Sequence, residues 1–352
     1  MTIQQMFLGA AGDNKVYVDD VFSTDLWPGT GLGQDITNGI NLATEGGLVW
    51  TKNRGTQARH TLTCTDFNKT GTYYDDITSN DDWPIATGRT YGITTFNNDG
   101  FSLGGNDSVF NYSPEDYVSW TFRKAPGFLD VVTWQGDGNS TNTLDHDLGS
   151  TPGAIFIKRT IMVPSGGSQN WCVWHRSAGV THLSLDLYTG VPWYNNVTNI
   201  GSTTFTVDTN FNYSGSTYVA YVFAHDDEQF GADSDEAIIK CGEYTSNWQS
   251  SPSSPQSVNL GWEPQFVIIK QAGGTMNGNS SWFMFDNQRM YNPGSGIDYP
   301  IRLWANEDVI EHNATFIQFT STGFIVDPLW GGPSGINWPA NDQHVYIAIK
   351  KE

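Results

Sequence analysis

One block of eleven residues recurs three times without a gap, and this constrains the chain more than any other feature. It reads Leu42-Ala-Thr-Glu-Gly-Gly-Leu-Val-Trp-Thr-Lys52, then Leu148-Gly-Ser-Thr-Pro-Gly-Ala-Ile-Phe-Ile-Lys158, then Leu260-Gly-Trp-Glu-Pro-Gln-Phe-Val-Ile-Ile-Lys270. A chain that repeats a segment at a spacing of about one hundred residues repeats a whole module, not a solenoid rung. In each block a Gly- or Pro-marked turn precedes a run of β-branched and aromatic residues. The apolar runs Ile155-Phe156-Ile157 and Val267-Ile268-Ile269 predict a central strand buried on both faces, with the closing lysine marking its emergence into water.

Two further landmarks follow in each copy. Gly100-Phe101-Ser102-Leu103, Phe205-Thr206-Val207 and Gly323-Phe324-Ile325-Val326 have the alternation of a half-buried strand. Tyr117-Val-Ser-Trp120, Tyr218-Val-Ala-Tyr221 and Tyr346-Ile-Ala-Ile349 close the copies, with Tyr and a small residue sharing one face. Between the block and the first of these landmarks lies a more variable aromatic segment: His60–Cys64, Trp171–Trp174 and Ser281–Phe285. No stretch carries a 3.6-residue apolar period long enough for a substantial helix. The expected fold is all-β: three tandem antiparallel β-sandwich-like modules over 1–126, 127–236 and 237–352. The acidic stretches at 225–228 and 233–236 read as an exposed linker.

Charge narrows the function. With 37 acidic against 17 basic residues the formal charge is −20, which repels nucleic acid and anionic membrane surfaces. No run of eighteen apolar residues is present and the first ten residues lack a basic n-region, so neither membrane insertion nor a secretory signal is expected. Cys64, Cys172 and Cys241 lack metal-ligand spacing and are expected as buried free thiols.

No catalytic motif is present: neither Gly-x-Ser-x-Gly, nor His-Glu-x-x-His, nor a Walker loop. A pair of carboxylates at a glycosidase separation, drawn from the 37 acidic residues, is the enzymatic alternative. The acidic pairs Asp75–Asp76 and Asp81–Asp82, and Asp233-Ser-Asp-Glu236, read as solvated loop charge, with Ca²⁺ as the alternative. The expectation is a non-enzymatic protein without cofactor or metal. Among its 14 tryptophans, Trp27, Trp83, Trp193 and Trp338 each adjoin a proline and are the candidate binding residues. A turn tryptophan either folds back onto its module or offers a flat apolar face to a sugar or a partner.

Taken together, Met1–Gly9, Gly46–Arg54 and Asp99–Leu103 resemble a repeat family of structural proteins from marine and cyanobacterial tailed phages. Tyr117–Pro126, Tyr218–His225 and Asp235–Gly242 extend the resemblance over nearly the whole chain. It implies a virion protein of the tail-fibre or adhesin kind, made in the host cytoplasm, whose partners are other virion proteins and a host-surface glycan or receptor. A capsid or tail decoration protein and a carbohydrate-binding module are the alternatives. A homotrimer is the assembly expected of a fibre. The first copy carries Ala43 and Gly46 where the others have Gly and Pro, and is the candidate for attachment.

Overall fold

The structure, a computed structural model, describes residues 15–161, 169–179, 181–188, 190–194, 196–247, 255–273, 280–313, 315–326, 336 and 341–352. The chain is all-β, and every strand pairing among these residues is antiparallel.

The same two-sheet plan occurs three times. In the first module the larger sheet has the order Phe22–Pro28, Asp116–Arg123, Gly47–Asn53, Thr61–Cys64, Ile77–Thr78. Its smaller sheet places Gly100–Gly104 between Gln34–Thr37 and Gly92–Asn97. In the second module the larger sheet begins Leu129–Gln135, Thr217–Phe223, Ala154–Ile161, Cys172–His175, and the smaller is centred on Thr204–Asp208. In the third the larger sheet runs Ile239–Thr245, Gln343–Lys350, Pro264–Gln271, Phe283–Asp286, Leu303–Trp304, and the smaller is centred on Gly323–Val326. The repeated block thus supplies the middle strand of each larger sheet, and the Gly-Phe landmark the middle strand of each smaller one.

Each larger sheet is buried on both faces because it serves two cores. One face of the first module's sheet, with Val49 and Tyr117, packs on its own small sheet through Ile36, Phe101 and Leu103. The other face, with Leu48, Trp50, Val118, Trp120 and Phe122, joins a core shared with the other two modules. Cross-module ring contacts line that core: Phe122 with Phe223 at 5.9 Å and with Phe266 at 6.2 Å, Phe22 with Phe266 at 5.6 Å, and Phe156 with Trp282 at 5.8 Å. The modules therefore close on one another around a common centre instead of standing in a row.

The block lysines correct the sequence expectation. Lys52, Lys158 and Lys270 do not emerge into water; each is fully buried. Every one donates to a carbonyl of its own module and reaches across to the next. Lys52 Nζ bonds Asn53 O at 2.6 Å and Asp308 O of the third module at 3.4 Å. Lys158 Nζ bonds Gln169 O at 2.9 Å and Asp81 O of the first at 3.1 Å. Lys270 Nζ bonds Ser280 O, together with Leu187 O at 3.0 Å and Tyr188 O at 2.7 Å of the second. First to third, second to first and third to second make a head-to-tail contact that closes as a ring of three.

Indole groups repeat the pattern one strand over. Trp171 Nε1 donates to Thr78 O at 2.9 Å, and Trp282 Nε1 to Ser184 O at 2.6 Å, each in the preceding module. In the first module His60 stands at this position, accepts from Trp50 Nε1 at 3.0 Å and stacks on Trp120. The junction of the first and third modules, farthest apart in sequence, is the most polar. Arg54 grips Glu311 with two bonds of 2.9 and 2.8 Å. Asp286 accepts from Trp120 Nε1 at 3.0 Å and from Arg289 Nε at 2.8 Å, all three residues being buried.

Register differs from the sequence reading in one place. Tyr117 stacks on Trp27 at 5.6 Å and Tyr218 on Trp134 at 5.1 Å, but the matching pair in the third module is His344 on Tyr244 at 5.1 Å. Tyr346 is therefore two residues out of step with Tyr117 and Tyr218. The face assignment survives because the side-chain period is two. Tyr346 occupies the place held by the small Ser119 and Ala220, and its partner across the ladder is Gly242, where a side chain would collide with the Tyr346 ring. In the other modules that partner is Asp25 or Val132, so the small and large positions have exchanged strands.

Burial holds the three lysines below the usual value of 10.5, Lys270 at about 7 and Lys52 and Lys158 at about 8. An unfolded lysine keeps its proton to about pH 10.4. Above pH 7 the unfolded chain therefore binds more protons than the folded one, and stability rises with pH. Below pH 7 both states are protonated and the lysines add no slope. Burial pushes the thiols Cys64, Cys172 and Cys241 and the phenols Tyr221 and Tyr244 upward. Their contribution is intact below the unfolded values of about 8.5 and 10 and is lost above them. The urea midpoint is expected to climb from pH 7 to about 9 and then to fall; a midpoint flat over that interval would mean the lysines stay charged inside.

Candidate functional site

The four proline-flanked tryptophans have different fates. Trp27 is a correction: it belongs to the strand Phe22–Pro28, is 6% exposed, and has one face covered by Tyr117. Its Nε1 donates to Phe110 O at 3.4 Å. The repeat itself carried the signal, since Trp27 holds the position of Trp134 in the second module. Both sit at the end of a first strand and stack on the closing tyrosine, so Trp27 is a core residue that happens to precede a proline. Trp193 lies in the strand Gly190–Tyr194, its side chain outside the described residues, as is the whole of Trp338.

Trp83 is presented to solvent, with 58% of its surface exposed. It lies in the loop after the edge strand Ile77–Thr78, and that loop is fixed at both ends. Asp81 O accepts from Lys158, Asp82 O accepts from Gln169 N at 3.2 Å, and Ile85 N donates to Thr160 O at 2.9 Å. These bonds strap the loop to the second module. Within it, Asp81 Oδ1 accepts from the Trp83 backbone N–H at 3.1 Å and from Thr78 Oγ1. Arg59 forms an ion pair with Asp81 at 3.4 Å and lies 4.8 Å over the Trp83 ring. A guanidinium on an indole face fixes the ring's attitude and covers one side of it. What remains is a flat apolar surface bordered by a cation and a carboxylate, an arrangement suited to gripping a ring that also carries polar groups.

In each acidic group weighed as a cation site one carboxylate is taken by a protein partner. Asp76 is held by Arg89 through bonds of 2.8 and 2.7 Å, Asp81 as just described, and Glu236 by Lys350. Among the described residues no group of three or more His, Cys, Asp or Glu side chains is placed to hold a metal. Asp233 and Asp235 stand exposed in the connection between the second and third modules, as the acidic run implied. The three cysteines are free thiols, each buried in a different module. No helix among the described residues is long and apolar enough to cross a membrane.

Sequence reasoning missed a cleft of about 360 Å³ between the first and second modules, which opens two residues along the chain from Trp83, at Ile85. Asp66, Asn68 and Asp75 from one module face Thr133, Trp134 and Gln135 from the other. No local motif signals it, because its walls come from segments brought together by the closing of the ring.

No curated protein sequence and no solved structure matches the chain. One family model does, DUF7483, described as a domain of unknown function, over residues 18–338. That span starts before the first strand of the first module and runs into the third, and the chain belongs to this family.

Proposed function

We propose that this chain is a virion structural protein of the tail-fibre or adhesin kind, contacting a glycan or receptor on the host surface without catalysing a reaction. The observation that carries this reading is Trp83, an exposed indole held in one attitude by Arg59 and Asp81 on a loop strapped to two modules. A large aromatic held rigidly at the surface makes an efficient binding anchor. The likeness of the sequence to phage repeat proteins supplies the setting: the particle, with other virion proteins as neighbours. Repetition of chains on a particle then turns weak single contacts into firm attachment.

Trp83→Ala is expected to weaken binding of the purified protein to host cells at least about tenfold. The unfolding free energy should change by less than about 1 kcal/mol, since a surface side chain and one cation–π contact are lost. Unchanged binding with an intact fold would remove Trp83 from the contact surface.

A second reading, a capsid or tail decoration protein, draws on the ring of three modules, which offers three similar faces to surrounding subunits. Immunogold labelling of particles separates the two: label at fibres or the tail tip supports the adhesin, label on the capsid supports decoration. A homotrimer belongs to the fibre reading, and light scattering that returned the mass of a single chain would count against it.

A further inference from the structure

The cleft between the first and second modules contains a polar group that the protein leaves unanswered. Asp75 is 2% exposed at the cleft. Its Oδ2 accepts from Thr70 Oγ1 at 3.1 Å, while its Oδ1 is buried without any hydrogen-bond donor. The two nearest basic side chains in sequence are committed elsewhere, Lys69 to Thr94 O at 2.6 Å and Arg89 to both oxygens of Asp76. A buried carboxylate oxygen without a donor is uncommon in a folded protein and requires an explanation. The surroundings supply one. Asp66, Asn68, Thr133 and Gln135 present carboxylate, amide and hydroxyl groups, no lysine or arginine is among the described lining residues although Lys124 pairs with Asp66 at 3.8 Å, and Trp134 adds an apolar wall. Trp134 is itself immobilised, with Nε1 donating to Phe211 O at 3.0 Å and its ring stacked on Tyr218.

From this geometry we propose that the cleft is a binding site, separate from Trp83, for a neutral saccharide whose hydroxyls donate to Asp75 and whose ring lies against Trp134. Two carboxylates and no cation among the lining residues disfavour an acidic sugar, and several fixed acceptors favour a ligand rich in hydroxyl donors. The Trp83 reading and this one stand independently.

The test uses the full chain with maltotriose, cellotriose, mannotriose and chitotriose as neutral probes and sialyllactose as the acidic one, followed by saturation-transfer NMR and calorimetry. At least one neutral probe is expected to bind, and sialyllactose to bind more weakly. Asp75→Asn turns a carboxylate oxygen into an amide donor, so affinity should fall about tenfold or more. Thr133→Trp, at an exposed rim position, should fill the cleft and abolish binding with the melting temperature unchanged; it carries the test if the Asp75 variant does not fold. Trp83→Ala should leave this binding intact. Silence of every neutral probe at about 10 mM, where a millimolar site would be saturated, would overturn the proposal and leave Asp75 with an ordered water only. So would binding that survives Thr133→Trp, or sialyllactose binding as well as the neutral sugars.

Discussion

A chain ending at residue 236, with the third module removed, is expected to lose cooperative unfolding altogether. Phe22, Trp120 and Phe122 each lose the ring of Phe266, and Phe156 loses that of Trp282. Full burial of a large apolar side chain stabilises by about 1.5–3 kcal/mol, so uncovering four of them costs up to roughly 6–12 kcal/mol. A whole domain has only about 5–15 kcal/mol to lose. Polar losses add to this: Lys52 loses the Asp308 carbonyl, Arg54 loses Glu311, and Trp120 Nε1 is left without Asp286. The shortened protein should bind ANS strongly and melt without a sharp transition while keeping β-type far-UV circular dichroism. A sharp transition with native near-UV circular dichroism would show instead that each module carries a sufficient core, and the shared centre would then be a docking surface between self-standing domains.

Trp282→Ala should destabilise the full-length protein by about 3–5 kcal/mol, as for large-to-small changes at fully buried aromatic positions. The side chain is completely buried, packs on Phe156 of the second module and donates to Ser184 O. Its removal opens a cavity at the junction and orphans that carbonyl. Denaturant unfolding followed by fluorescence and by circular dichroism should give one shifted transition, coincident for both probes, because the shared core couples the modules. Two separated transitions would mean that the third module melts by itself. A loss below about 1 kcal/mol would mean that Trp282 contributes little to closing the ring.

The two variants probe one property from different sides. Each module has a private core between its own sheets and a share in a common one. The second module's private core runs without a break into the shared centre, whereas those of the first and third remain distinct clusters. The middle module is thereby the one most deeply tied to its neighbours, and the lysine ring fixes the order in which they meet. Three buried lysines whose hydrogen bonds go to carbonyls, two of them also lying over the indoles of Trp171 and Trp282, form a demanding joint, since each must lose its hydration to reach across. They specify which loop sits against which strand, a role in which buried polar groups are better attested than in raw stability.

Much of this was written in the residues. Alternation and β-branched runs identified the strands, and the block of eleven placed the middle strand of every larger sheet, because a strand's pattern follows from its own two faces. Strict spacing from Leu to Lys also aligned Lys52, Lys158 and Lys270 correctly. The fate of those lysines was not legible: a lysine after an apolar run has the same appearance at a solvent edge and at an internal joint, and its partners across the joint lie 77 to 256 residues away. Tyr346 was placed two residues out because period-two patterns are blind to such a shift, and the compensating glycine, Gly242, sits on another strand. Trp27 and Trp83 are both followed by proline, yet one lies under a tyrosine and the other faces water. Local sequence decides that a tryptophan enters a turn or ends a strand, and the packing of the remaining chain decides what covers it. The cleft at Asp75 belongs wholly to the second category, since it exists only where two modules meet.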